Sequence, residues 1–418
     1  MRRVLLAAGA VAAVAGVAIA GAFARTAATP GVTSRLVTIG GTFPLSGPAS
    51  SYAPIPVGMK AYFSYVNARK GPDGLRGVGG RQIVFKYYDD GYNPANTVQR
   101  TRQLVEQDHV FALVGGLGTE PQEAVVAYAN QQKVPQIYVS SGATEWGANH
   151  DKYPWTIGWQ PDYQAEAALY GRYIVSNLPN AKIGVIYQND SYGKDYIAGL
   201  EAGLGPAHKS QIVATRGFEV TDTSVLSQVI DLRKAGVDTL MIFGTPSPTI
   251  RTYATMAKIG WKPANIFVNS VSGTATFLGI ATSLAGAAEV NDSITTYYTK
   301  DPANPAWDND AGMKLYRQIM AKYVPSGDAK NGLYLYGMAK AYTFVQALRA
   351  AGKNPTRESL MNAVLNMNDK TNPFLLPGVV TKTGKNDYFP ISQQRLLRWN
   401  NGLFTPFGSL VDTRPKGL

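Results

Sequence analysis

From about residue 36 onward, apolar and polar positions along the chain fall into two alternating patterns. Short apolar runs read as strands over residues 36–43, 82–88, 110–115, 134–140, 182–188, 211–218, 238–244, 265–270 and 293–299. Between them lie stretches with apolar residues at helical spacing. Over 94–108, Val98, Leu104 and Val105 share one face, and Asn93-Pro94 supplies a cap followed by proline at the first helical position. Strands alternating with helices predict parallel sheets with crossover helices, hence an α/β protein.

One phrase occurs twice. Phe111 to Gly115 is an apolar strand ending in glycine, followed by a helix and then Val134 to Gly142; Thr239 to Gly244 is a second such strand, followed by a helix and then Ile266 to Gly273. Each half therefore presents two polar loops at the carboxyl ends of neighbouring parallel strands, where open α/β sheets place their ligands. Near the C-terminus, residues 394–399 and 404–410 flank Asn400-Asn401-Gly402, which predicts a closing antiparallel hairpin.

The first segment breaks the pattern. Arg2 and Arg3 precede an apolar stretch from Val4 to Ala24 that ends in the small-x-small triplet Ala22-Phe23-Ala24, so residues 1–24 are expected to be a cleaved secretory signal and 25–35 a flexible N-terminus. An uncleaved anchor is the alternative, but alanine and glycine make the stretch weakly apolar for a permanent span. The expected location is periplasmic.

The remaining composition narrows the function. Of the 418 residues 45% are hydrophobic and 16% charged, enough to bury large cores in two or three units. With no cysteine there is no disulfide framework, thiol nucleophile or lipidated anchor. The net charge of +12 is spread without long runs, which argues for solubility and against a nucleic-acid partner. A nucleotide-dependent enzyme is the rival class, yet the first glycine loop does not complete G-x-G-x-x-G. No P-loop, H-E-x-x-H or G-x-S-x-G motif occurs, so no catalysis, cofactor or metal is expected.

Several stretches then carry a resemblance: Gly41-Thr-Phe-Pro-Leu-Ser-Gly47-Pro48, Tyr87-Tyr-Asp89-Asp90-Gly with Asn93-Pro94, Leu104-Val-Glu106-Gln-Asp108, Val134-Pro135, Gly142-Ala-Thr144-Glu-Trp146, Tyr187 to Gly193, and Trp307 to Gly312. Together they resemble the branched-chain amino-acid type of periplasmic substrate-binding protein, with the type I periplasmic fold. The resemblance implies two Rossmann-like lobes that close on a small-molecule ligand, joined by three crossovers placed near 158–162, 288–294 and 375–380. Lobe 1 would comprise 36–159 plus 293–376, and lobe 2 160–292 plus 377–412. It also implies a monomer that partners the permease subunits of an ABC transporter; a sensor subunit for a membrane receptor would look identical in sequence.

Candidate ligand contacts follow from the loops. Gly118 and Thr119 lead into a helix whose positive end suits a carboxylate; spacing alone favours Thr119 as that helix's cap, and the resemblance makes it a ligand contact. Ser140 to Thr144 form a second polar loop, from which the resemblance singles out Gly142, Ala143 and Thr144. Tyr192, at a strand-to-helix transition, would close over the ligand from lobe 2, with Tyr52 and Trp146 opposite, although a lone tyrosine or tryptophan is more often packing than pocket and the chain has 24 tyrosines. Thr245 follows the second lobe's strand. In amino-acid-binding relatives an acidic residue meets the substrate ammonium in the loop that here reads Asn269-Ser270-Val271-Ser272, and by alignment its place falls to Val271. The expected ligand is therefore a carboxylate or amide with an apolar or aromatic body, unless Glu120 or Glu145 supplies the missing charge from lobe 1.

Overall fold

A computed structural model describes residues 29–414. The expected signal segment 1–24 lies outside them. Of the expected flexible N-terminus, residues 29–35 are described, and Gly31 lies against the first sheet: Thr38 N donates to Gly31 O at 2.7 Å, and a Cβ on Gly31 would lie 2.3 Å from Phe111 N.

Two sheets form the frame. The first has the order β2-β1-β3-β4-β5, all parallel, from β1 (Leu36–Phe43), β2 (Gln82–Asp89), β3 (Leu113–Val114), β4 (Gln136–Val139) and β5 (Thr156–Gly158). Helices α1 (Pro54–Asn67), α2 (Pro94–Arg102), α3 (Thr119–Gln131) and α4 (Glu145–Ala148) connect these strands. The larger sheet has the order β14-β13-β10-β9-β8-β6-β7, with β15 pairing β13. Its parallel strands are β6 (Ile183–Gln188), β7 (Ile212–Phe218), β8 (Thr239–Phe243), β9 (Asn265–Val268) and β10 (Ile294–Tyr297), interleaved with α5 (Tyr163–Asn177), α6 (Ser191–Leu204), α7 (Leu226–Lys234), α8 (Pro246–Ile259), α9 (Ala275–Ala285) and α10 (Ala287–Val290). The chain then returns to the first unit for α11 (Ala311–Tyr323), α12 (Gly332–Ala350), α13 (Arg357–Val364) and the short pair β11 (Asn368–Asp369) and β12 (Thr381–Lys382). It closes the larger sheet with β13 (Gln393–Asn400), β14 (Leu403–Pro406) and β15 (Val411–Asp412), all antiparallel.

The strands of the larger sheet read as unbroken apolar runs because both faces are covered. In β8, Met241 and Phe243 face the core formed with α5 and α6, whereas Leu240 and Ile242 face the core formed with α7, α8 and α9. Close helix pairs fix the geometry. On α6, a Cβ at Gly199 would lie 2.2 Å from Gln164 O of α5; on α12, a Cβ at Gly337 would lie 2.2 Å from Ile55 O of α1. Only glycine permits backbones to approach that closely, so α5–α6 and α1–α12 each behave as one block.

The α/β architecture expected from the alternating pattern is present, and eight of the nine expected strand positions overlap elements within two residues at each end. The ninth, 110–115, is trimmed to Leu113–Val114, and β5 was not anticipated. The helix expected over 94–108 stays α-helical only to Arg102 and widens over Gln103–Gln107. The passages between the sheets also differ. The first spans residues 159–162, between the end of β5 and the start of α5. The second follows Tyr297, not 288–294, because β10 pairs with β9 and β13 in the larger sheet. The third comes at Ile391–Gln393, not 375–380, because residues 381–391 still pack on the first unit: Thr383 Oγ1 donates to Val364 O at 2.6 Å, and Tyr388 stacks on His150 at 4.9 Å.

Candidate functional site

The carboxyl ends of the two sheets face each other across a cleft of about 890 Å³, including the part open to solvent. Tyr52, Ile55, Leu117, Thr119, Ser140 and Tyr336 line it from the first unit; Tyr163, Tyr192, Thr245, Ser270 and Val271 line it from the second. Gln160 and residues 298–302, from two of the passages, form its back. The units touch around it. Tyr52 Oη donates to Val271 O at 3.3 Å, the Tyr52 ring meets Phe277 edge-on at 6.2 Å, and Thr144 N donates to Asp195 Oδ2 at 2.8 Å.

In the first unit the cleft floor is hydroxyl-rich. Ser140 Oγ donates to Gly115 O at 2.6 Å, and the Thr119 and Ser141 hydroxyls share a hydrogen bond of 2.7 Å. Helix α3 starts behind them with Gly118 at its N-cap (φ +101) and no side-chain cap. Pro121, lacking an N–H, stands in its first turn. The backbone dipoles there favour negative charge. Between Ile137 and Val139 the pairing of β4 with β5 slips by one residue, leaving Tyr138 fully buried at φ +56, an arrangement that re-aims a strand end next to a site.

Beneath this floor lies Lys340 of α12, with 0% exposure. Its Nζ donates to Ser140 Oγ and sits 4.3 Å from the Tyr336 ring centroid and 5.6 Å from that of Trp159. No carboxylate pairs with it among the described residues. Burying an unpaired ammonium costs several kcal/mol, and two ring faces return only about 1–2 kcal/mol. Burial accordingly holds its pKa well below the usual lysine value.

The second unit carries the opposite arrangement. Glu166, in the first turn of α5, is also fully buried, and its carboxylate lies directly behind Ser270. It accepts from Ser270 N (2.7 Å), Ser270 Oγ (2.6 Å), Tyr170 Oη (2.8 Å) and Tyr196 Oη (3.0 Å). Burial pushes its pKa up while these donors pull it back. Thr245 Oγ1 donates to Gln188 Oε1 at 3.0 Å, and Asn269 Nδ2 donates to the Tyr192 hydroxyl. On the second passage Asp301 reaches the cleft: Oδ1 accepts from Ala303 N at 3.0 Å, Oδ2 is buried with no partner, and burial raises the carboxyl to about 6.

The family model for periplasmic binding proteins matches residues 36–402. The chain belongs to that family. Among relatives, the Leu/Ile/Val-binding protein homolog 1 of Brucella suis is 24% identical over 332 residues, spanning 77% of this chain and 80% of its own length. A branched-chain amino acid ABC transporter protein of Thermus thermophilus, solved with bound valine, superposes with a TM-score of 0.78 at 18% identity, covering 91% of this chain and 97% of its own. A fatty acid ABC transporter substrate-binding protein of Thermomonospora curvata superposes with a TM-score of 0.73 at 19% identity, covering 92% and 94%. These likenesses establish the type I periplasmic fold and an extracytoplasmic family.

Within this periplasmic binding protein, six of the ten residues singled out from sequence line the cleft: Tyr52, Gly118, Thr119, Tyr192, Thr245 and Val271. The other four do not. Gly142, Ala143 and Trp146 surround a separate small void beside Phe389, and Thr144 turns its backbone N–H to Asp195. The cause is Gly142, where the loop presses on the first passage. A Cβ there would lie 2.3 Å from Pro161 O, and Tyr163 N donates to Gly142 O at 2.8 Å, so Tyr163 takes the cleft-facing position and the loop turns away behind it. Glu120 and Glu145, the reserve counter-charges, do not line the cleft either; burial and the neighbouring Glu123 hold Glu145 protonated up to about 8. Sequence reasoning missed Tyr163, Glu166, Asp301, Tyr336 and Lys340. A lone lysine inside the apolar stretch Gly337-Met-Ala-Lys-Ala-Tyr342 was the one local signal available.

Proposed function

We propose that this protein is an exported carrier that takes a small carboxylate or amide with an apolar or aromatic body into the interlobe cleft. On this reading it closes over the ligand by hinge motion and delivers it, without chemical change, to the permease subunits of an ABC importer. The carrying observation is the cleft lining: tyrosines, Ile55, Leu117 and Val271 supply an apolar body, with hydroxyls and the start of α3 at one end. The Val271 side chain offers nothing to an ammonium, and Glu166, behind the neighbouring Ser270, is engaged by four donors. An ammonium left unpaired costs several kcal/mol against the roughly 8 kcal/mol of a micromolar affinity.

A second reading, a plain α-amino acid, is favoured by one observation: the buried, unpartnered Oδ2 of Asp301 in the cleft lining. A thermal-shift panel separates the two, since ligand at about 100 times its Kd stabilises the folded state by about 2.7 kcal/mol. Aromatic and aliphatic acids are expected to raise Tm. Shifts with leucine, isoleucine and valine alone, abolished in D301N, would instead establish the amino-acid reading.

A further inference from the structure

We propose that Lys340 is the counter-charge for a carboxylate on the ligand, so that an anionic ligand is captured together with one proton. This rests on the cleft being a solute site and narrows its substrate class to carboxylic acids.

The geometry is that of a cation site missing its anion. The groups near Lys340 include the Ser140 hydroxyl at the end of β4, the Trp159 indole of the first passage, the Tyr336 phenol one turn away on α12, and the Gly115 backbone, beside which the lysine stem and the Met59 thioether of α1 both lie. Only the phenol among them titrates, and it donates to Gln160 Oε1 at 2.7 Å. Among the described residues nothing negative neutralises the lysine. Yet two of the groups it touches, Ser140 and Tyr336, are themselves cleft lining, so its nitrogen lies a single layer below the surface a ligand meets. The Ser140 proton goes to Gly115 O, which leaves the serine oxygen as acceptor toward Lys340. Next to Ser140 stand the Thr119–Ser141 hydroxyl pair and the uncapped start of α3, which also favour an anion.

A carboxylate at this end of the cleft favours the charged form of the amine. A proton from solvent joins the Nζ lone pair, and no covalent bond to the ligand forms. An uncharged amide of the same shape gains none of this. Because the anion raises the lysine pKa in the complex above that of the free protein, binding takes up a proton between the two values. In that window affinity falls as pH rises, by close to tenfold per pH unit.

The test is titration calorimetry of the full mature chain with phenylacetate, butyrate and leucine and with their primary amides, each in phosphate and in Tris. Different buffer ionisation heats report the protons taken up. At least one acid is expected to bind with uptake approaching one proton, at least tenfold more tightly than its amide. K340M is expected to bind that acid at least tenfold more weakly, with the uptake lost and the amide unaffected. The wild-type uptake stands as a readout even if K340M does not fold. Equal binding of acid and amide, binding without uptake, or uptake that survives in K340M overturns the inference. Small-angle scattering distinguishes this from failure of the parent reading: compaction with an amide alone retains the solute-binding cleft and discards the lysine's role, whereas no response to any probe discards both.

Discussion

The two walls of the cleft are built on the same plan with opposite outcomes. Each places a serine at the surface and a fully buried ionisable group behind it, Lys340 behind Ser140 and Glu166 behind Ser270. Glu166 is satisfied by four donors, two from the loop it supports. Lys340 has one oxygen and two ring faces. A buried charge whose hydrogen-bond capacity is filled by the protein is part of the scaffold; one that is left wanting is available to whatever enters.

Breaking the satisfied wall gives the largest expected effect. Glu166→Leu strands the Ser270 amide and the Ser270 and Tyr196 hydroxyls, while Tyr170 keeps Val268 O at 3.0 Å, and denaturant unfolding should show a loss of about 3–5 kcal/mol. Gly199→Ala attacks the same wall through its helix pair. The added methyl meets the Gln164 carbonyl of α5, and a loss of about 2 kcal/mol is expected in the same measurement. The smallest change sharpens the contrast by its sign: Lys340→Met should stabilise the unliganded protein by about 1–2 kcal/mol near neutral pH. The folded-state pKa of Lys340 lies below its unfolded value, so between the two the unfolded chain holds the extra proton and wild-type stability rises with pH. The advantage of K340M should therefore be greatest at low pH and shrink toward lysine's ordinary value of about 10.4, which Tm measured across pH will read. A destabilised K340M would mean the lysine is scaffold like Glu166.

What the sequence disclosed follows the range over which each interaction acts. Runs such as Thr239 to Phe243 and caps such as Asn93 are local and predicted their elements directly. So were the strand-end loops that carry Thr119 and Thr245 into the cleft. Which sheet a strand joins is not local: β10, with buried Thr295 and Thr296 among its four residues, carries no mark that it pairs with β13 a hundred residues later, and the expected boundary at 293 fell on its wrong side. The Lys340–Ser140 contact spans 200 residues, and the turning-away of Gly142 to Trp146 depends on where Pro161 and Tyr163 arrive. Neither is written in spacing.

The interleaved order of the two sheets has a consequence for how the chain comes into being. The first core needs α12, which packs on α1 from the far end of the sequence, and the larger sheet needs β13 beside β10. Neither half can therefore finish until nearly the whole polypeptide has left the ribosome. Contacts this distant in sequence also form slowly. A newly made chain thus stays incompletely folded throughout its synthesis, the condition in which a polypeptide can be threaded through a narrow channel.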